Sequence, residues 1–318
     1  MALVDSSVTY AGEHAGKYIS ASLLEANTIS AGGITVMPNV KFKSVIGRID
    51  TGSLVKGASC DFTASGDVTL KERIIEPKRL QVNTTLCKDN FQDNWEVMQM
   101  GFSAHESAPK TFTDYLIGYM ADKVAASTEV SIWRGTAGDD DYAGLTTQIA
   151  LDADLPTGQE IAAVGGDGVT SGNVIAELGK IVDAIPSSLY TKEDLHIYVS
   201  QNIARAYIRQ LGGYGANGLG AQGFNNQGTM WYNNGSLSFD GVKIFVANGL
   251  ADNTAVATTK SNLFFGTGLL SDHNLIQVID TAATLGDQNV RFVMRYTAGV
   301  QYGIIEDIVT YGVTNSAN

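Results

Sequence analysis

Residues 133–145 read WRGTAGDDDYAGL and set three consecutive aspartates, Asp139–Asp141, between glycines. Adjacent carboxylates can hold a divalent cation, work as an acid–base cluster, or simply solvate a turn. A calcium loop needs oxygen ligands at alternating positions, glycine at the sixth and glutamate at the twelfth. The run 139–150 has Gly144 at its sixth position but Thr147 at its ninth and Ala150 at its twelfth. No histidine or basic side chain in residues 135–150 tunes one carboxylate against the others. The spacing predicts a solvated turn, with neither a metal site nor a reaction centre.

The other chemistry-bearing residues form no constellation. Gly213-x-Gly215-x-x-Gly218 matches a dinucleotide fingerprint, with Asp240 about 20 residues on. That fingerprint needs a strand before it and a helix opening at it; here it follows a helical pattern and enters an Asn-rich stretch. His14, His105, His196 and His273 are scattered, and Cys60 and Cys87 show no metal-ligand spacing. Two such cysteines read as free thiols in a reducing compartment. Lys56, Lys71 and Lys78 carry amines that could condense with a neighbour's asparagine, but the sequence shows no oriented partner. The reading is a chain with no cofactor, no metal and no enzymatic activity. An enzyme built on residues 170–290 would need tuned acids or a phosphate loop, and neither is found.

Composition narrows the class. The 318 residues are 44% hydrophobic and 17% charged, with 35 glycines against five prolines, which fits a globular chain rich in tight turns. A net charge of −12 argues against a general grip on nucleic-acid phosphates. The charge is uneven. Residues 37–90 hold nine Lys and Arg against six acids, whereas residues 91–318 hold 11 against 24. A basic segment on an acidic body suits a nucleic-acid arm or a strap lying on the acidic body of a neighbouring copy. Glu72 and Glu76 within KERIIEPKR, and the lack of interleaved aromatics, favour the strap. The N-terminus lacks a signal-peptide pattern and no 18-residue apolar run exists, so a soluble protein made inside the cell is expected.

The elements that would position these residues follow from periodicity. Residues 1–45 read as an extended arm. Residues 45–86 alternate like β-structure, with turn signals at Thr51-Gly52, Lys56-Gly57 and Ser65-Gly66-Asp67, and predict a ribbon with arms of about 16 residues reaching roughly 50 Å. Phe112, Leu116, Tyr119, Met120, Val124, Val130 and Trp133 recur at helical spacing between Pro109 and Gly135. Val174, Leu178, Ile181, Val182 and Ile185 predict a second helix stopped by Pro186. DLHIYVS reads as a strand. It leads to a helix with Ser200 as N-cap and Ile203, Tyr207, Ile208 and Leu211 on one face. Eight glycines and five asparagines in residues 212–236 predict a long loop. The C-terminal third reads as strands, closing on a hairpin around Ala298-Gly299.

Three stretches carry a resemblance. ADKVAASTEVSIWRGTAGDDDYAGL, LGKIVDAIPSSLYTKEDLHIYVSQNIARAYIRQL and the closing FDGVKIFVANGL … LFFGTGLLSDHNLIQVID … VRFVMRYTAGVQYGIIEDIVTYG together resemble the major capsid proteins of tailed bacteriophages. Encapsulins and the herpesvirus capsid floor share that fold. The resemblance covers about residues 40–312 at the level of pattern. It implies an α+β tailed-phage major capsid protein fold: an N-arm at 1–45, an extended β-hairpin E-loop at 46–86, and a P-domain at 87–165 with a spine helix at about 109–134. An A-domain at 166–285 and C-terminal strands at 286–318 returning to the P-domain would follow. It also implies pentamers and hexamers in an icosahedral virion shell made in the bacterial host cytoplasm. That shell would enclose double-stranded DNA without sequence-specific binding, with portal and separate scaffolding proteins as partners and no membrane. Lys56, Lys71, Arg73, Lys78 and Arg79 are the expected inter-subunit contacts. Tyr214, Phe224 and Trp231 are expected in a loop near a symmetry axis. An encapsulin-like nanocompartment is the alternative.

Overall fold

A computed structural model of the chain describes residues 26–51, 55–58, 60, 66–87, 110–166, 168–211, 237–268, 277–281, 286, 287 and 289–316. These form two sheets, a ribbon and five α-helices. The first sheet orders β1 (Thr35–Met37), β10 (Leu263–Thr267), β12 (Asn289–Tyr302) and β11 (Gln277–Asp280), with β4 (Lys78–Cys87) also paired to β12. β12 is its axis. Along 14 residues it turns Val290, Phe292, Met294, Tyr296, Ala298, Val300 and Tyr302 to the core, while Arg291 and Arg295 stay exposed. That period of two makes one face of the sheet apolar and the other polar.

The apolar face receives the C-terminal half of α1 (Lys110–Arg134), which brings Ile132 and Trp133 into a cluster with Leu145 and Ile149 of α2 (Leu145–Ile149), Tyr296, Val300 and Tyr302. The 25-residue helix agrees with the sequence expectation. Its described buried stripe runs instead through Ala126, Glu129, Ile132 and Trp133, with Val124 and Val130 half-buried. Phe112 and Leu116 have side chains outside the described set.

The second sheet orders β5 (Glu160–Ile161), β13 (Val309–Tyr311), β9 (Ala255–Thr259), β6 (Leu195–Val199), β8 (Val242–Val246) and β7 (Ser238–Phe239). β6 and β8 are parallel, and α5 (Gln201–Leu211) lies between them in the chain. α3 (Val174–Asp183) and α5 share one core with this sheet, and Val174, Leu178, Ile181, Val182 and Ile185 are all buried as their spacing predicts. The short α4 (Ser187–Tyr190) adds Leu189. On α5, Ile203, Ala204, Ala206 and Tyr207 are buried, whereas Leu211, expected on that face, is exposed. The Ser200 hydroxyl donates to Asn202 Oδ1 at 2.6 Å, its only described side-chain bond.

Two strand expectations are corrected. No hairpin forms at Ala298-Gly299, since β12 runs straight through both residues. Gly299 is instead the place where another segment comes close: a Cβ there would lie 2.9 Å from the Cα of Pro77. Gly299 stands directly opposite Gly266 of β10, whose own Cβ would meet Ile75 Cδ1 at 2.8 Å. The glycine pair makes a notch that seats the Ile75–Pro77 corner. Residues 78–87 also leave the expected ribbon. β2 (Ser44–Thr51) and β3 (Val68–Ile75) pair over eight residues each, and β4 pairs with β12 from Lys78↔Ala298 to Cys87↔Asn289. Pro77, which has no N–H to give a ladder, marks the break.

Candidate functional site

The aspartate run sits where α1 ends. Gly135 N–H donates to Ser131 O at 3.1 Å, and Gly144 N–H donates to Gly135 O at 2.8 Å, folding residues 135–144 back on themselves. Both glycines are required by space: a Cβ on Gly135 would lie 2.1 Å from Tyr142 O, and one on Gly144 would lie 2.3 Å from Gly135 N. Asp141 spends its carboxylate inside the turn, accepting from the backbone N–H of Tyr142 at 2.8 Å and of Thr136 at 3.3 Å. Asp139 and Asp140 are exposed. Among the described residues no group of three or more acids, cysteines or histidines could hold a metal ion. Residues 135–144 form the turn that the glycines predict.

The ribbon is amphipathic in a way the sequence expectation did not contain. One face carries Ile46 and Arg48 of β2 and Lys71 and Arg73 of β3, and it lies on the chain's own body. Arg48 donates to both carboxylate oxygens of Glu306, at 2.5 and 3.0 Å, and Lys71 stands 3.9 Å from the same group. Arg73 pairs with Asp152, reaches Tyr302 Oη at 3.3 Å and stacks 4.6 Å from the centroid of that ring. Tyr302 Oη in turn donates to Asp152 Oδ2 at 2.6 Å. Burial alone would raise the Asp152 pKa. The Tyr302 hydroxyl, the Asp154 N–H and the Arg73 guanidinium together outweigh it and hold the carboxyl below its ordinary range. The Arg48 hydrogen bonds do the same for Glu306. Bidentate arginine pairs with partial burial are the strong kind of ion pair.

The opposite face of the ribbon is open and mostly apolar, with Glu72, across from Gly47, the charged side chain among its described residues. Val45 stands across from Ile74, Ile49 across from Leu70, and Val68 follows on the same side. Ile49 is 69% exposed and Leu70 80%. Among the described residues nothing covers this face.

Of the five expected contact cations, Lys71 and Arg73 thus face Glu306 and Asp152 of the same chain. Lys78 donates to the carbonyls of Gly138 and Asp141, stitching the start of β4 to the aspartate turn. Lys56 is exposed near the ribbon's far end, and Arg79 is exposed on the polar face of β4. The structure does not bring the five together. Tyr214, Phe224 and Trp231 lie outside the described residues. Arg48, Asp152, Tyr302 and Glu306 were not anticipated. The alternation of Arg48 with Ile49, and of Leu70 and Lys71 with Arg73 and Ile74, was the available signal.

A second polar centre ties the N-terminal segment down. Glu129 is 1% exposed on α1 and accepts from Thr28 Oγ1 at 2.5 Å, Thr28 N–H at 3.0 Å and Gly249 N–H at 3.4 Å. Trp133 Nε1–H donates to Thr28 Oγ1 at 2.9 Å. Burial raises the Glu129 pKa, and the donated bonds oppose that only in part.

No family model and no curated protein sequence matches this chain. Its fold is nevertheless that of the major capsid proteins of tailed phages. The capsid of a native GTA particle, computed with C5 symmetry, matches at a TM-score of 0.62 and 13% identity, over 94% of each chain. The capsid of Myoviridae phage XM1 matches at 0.61 and 11% identity, and that of cyanophage A-1(L) at 0.60 and 14%. Both of these cover 94% of this chain and 96% of the other.

Proposed function

We propose that this chain is the major subunit of an icosahedral shell, assembling as hexamers and pentamers around double-stranded phage DNA, and that its place is the virion. The observation that carries the reading is the amphipathic ribbon: its basic face is taken up by the chain's own carboxylates, and its mostly apolar face has no cover among the described residues. On a capsid fold, a second copy of the chain is the natural cover. Each apolar side chain fully covered would contribute about 1.5–3 kcal/mol before the cost of association. The contact between copies is then made chiefly by Val45, Ile49, Val68, Leu70 and Ile74. Lys71 and Arg73 act one step back, by fixing the ribbon's pose. In this reading the ribbon is the E-loop, α1 the spine helix with the five-stranded sheet as P-domain, and the six-stranded sheet the A-domain. Portal and separate scaffolding proteins are the expected partners. The role is structural, with no reaction assigned.

Sedimentation velocity and negative-stain electron microscopy of the full chain test this. The wild type should form closed shells or five- and six-membered rings. Ile49→Asp with Leu70→Asp should leave small species whose melting is unchanged, because both side chains are in water in the single chain. A wild type that stays monomeric or dimeric in every condition overturns the shell, and a double variant that assembles normally overturns the ribbon's part in it.

A further inference from the structure

The polar face of the five-stranded sheet carries a pattern of its own. On β4 the exposed positions are Arg79, Gln81, Asn83 and Thr85, and on β12 the positions facing the same way are Arg291, Val293, Arg295 and Thr297. No acid occurs among these eight, on a chain of net charge −12. Arg79 stands opposite Thr297 and Arg295 opposite Gln81, so the two arginines are diagonal neighbours about 7–8 Å apart. Together with Leu80, Gln81, Tyr296 and Thr297 they line one shallow groove. Arg291 follows four residues along β12, about 13 Å from Arg295. Asp287, held by Thr281 and Asn289, offsets charge only at the Arg291 end. Among the described residues none forms an ion pair with Arg79 or Arg295.

We propose that this face, centred on Arg79 and Arg295, is a sequence-independent contact for the phosphate backbone of double-stranded nucleic acid. Guanidinium groups interleaved with amide and hydroxyl side chains are the set that hydrogen-bonds phosphate oxygens. Single strands are disfavoured, because Tyr296 faces the core and none of the eight residues on this face is an aromatic on which a base could stack. An acidic protein surface is disfavoured, because among the described residues the exposed apolar side chain of this face, Ile279, stands across from Arg291 at the far end and leaves the Arg79–Arg295 centre polar. The apolar ribbon serves that purpose elsewhere. The inference stands on the face itself and needs no closed shell. It refines the sequence-level view of an acidic chain with no grip on DNA: the grip is local, and the surrounding charge keeps it weak.

Fluorescence anisotropy of a labelled duplex of about 30 base pairs, titrated with the full chain across roughly 20–200 mM salt, tests it. The wild type should bind random sequences alike, with a slope of log K on log salt near −2.7 for about three phosphates neutralised. Arg79→Gln with Arg295→Gln should bring the slope to about −0.9 and cost at least about tenfold at the lowest salt. Arg79→Lys with Arg295→Lys should retain the slope, and Lys243→Gln, a single charge loss on β8, should leave binding nearly unchanged. Equal loss in Lys243→Gln, no loss in the double glutamine variant, or a preference for single strands overturns the proposal. So does a double glutamine variant altered only in self-association by sedimentation, which would assign the face to a second copy. Shell formation is read separately by microscopy: absent shells with arginine-dependent duplex binding would sink only the shell reading, and normal shells without it only this one.

Discussion

Thr28→Val is the sharpest test of how the N-terminal segment is held. Valine keeps the shape of threonine and leaves no cavity, so the change isolates the hydroxyl. That hydroxyl donates to Glu129 Oε1 and accepts from Trp133 Nε1–H, in a site where Thr28 and Trp133 are fully buried. Losing a bond to a charged acceptor costs about 1.5–3 kcal/mol, and leaving the indole N–H unsatisfied costs about 1–3 kcal/mol. The two share one network and do not add fully, so the expected loss is about 2–4 kcal/mol. Unfolding entropy of about 2.1 cal/mol/K per residue then implies a melting temperature lower by about 3–6 °C for the unassembled chain. Thr28→Ser, which keeps the hydroxyl, should lose only about 1 kcal/mol. The pH dependence supplies a second reading. The folded pKa of Glu129 is already raised, and removing a donor raises it further. The deficit of Thr28→Val should therefore be full above the folded pKa and shrink as pH falls through it, because protonation relieves the poorly solvated charge. Urea unfolding followed by tryptophan fluorescence at two pH values measures both effects. A valine variant within about 0.5 kcal/mol of wild type at both pH values would refute the clamp.

Further outcomes follow from the same geometry. The folded pKa values of Asp152 and Glu306 are lowered, so their contribution is present above the ordinary carboxylate range and lost as pH falls through the depressed values. A dye on exposed Cys60, in a Cys87→Ser background, should report a ribbon loosening only as pH falls below the ordinary carboxylate range when Arg73 is intact. With Arg73→Gln the looseness should already be present at neutral pH, at a cost of about 1–2 kcal/mol for a partly exposed pair; an unchanged pH profile would show that Arg73 does not hold the ribbon. Gly249→Ala should abolish folding or cost more than about 3 kcal/mol, since its Cβ would lie 2.0 Å from the Glu129 carbonyl. By contrast Gly179→Ala, in α3 with nothing within 4 Å, should stabilise by about 0.5–1 kcal/mol in urea unfolding.

Much of the framework was legible because it rests on local signals. α3 showed its buried face as an apolar stripe ended by Pro186, and the turn after α1 showed as glycines around charge. The capsid-like order of elements was legible from those pieces taken together. The long-range pairings were not. The alternation along residues 78–87 is the same whether the strand closes a hairpin or lies beside β12, and only the body of the molecule chooses. Gly299 read as a turn because glycine density signals turns, whereas its role is to leave room for Pro77. On α1, Glu129 was invisible as a core residue, since a carboxylate is buried only where donors such as Thr28 and Gly249 converge. The sequence expects the ribbon's cations to meet the acids of a neighbouring copy, but charge alone does not say whose acids a cation meets. Arg48 and Arg73 find theirs in the same chain.

The position of Glu306 gives the ribbon a mechanical meaning. Glu306 lies in the short link between β12 and β13, the strands that end one sheet and enter the other, and its carbonyl accepts from Gln159 Nε2 at 2.8 Å. Asp152 is likewise fixed, with its carbonyl accepting from Asn315 Nδ2 at 2.7 Å near the chain's end. A pull on the ribbon is therefore delivered at the seam between the two sheets, through short stiff paths, while its root rests in the Gly266–Gly299 notch. The ribbon works as a lever whose fulcrum is that notch and whose load is borne where the sheets join. In the proposed shell, tension on the ribbon would be felt as torsion between the two sheets of the chain.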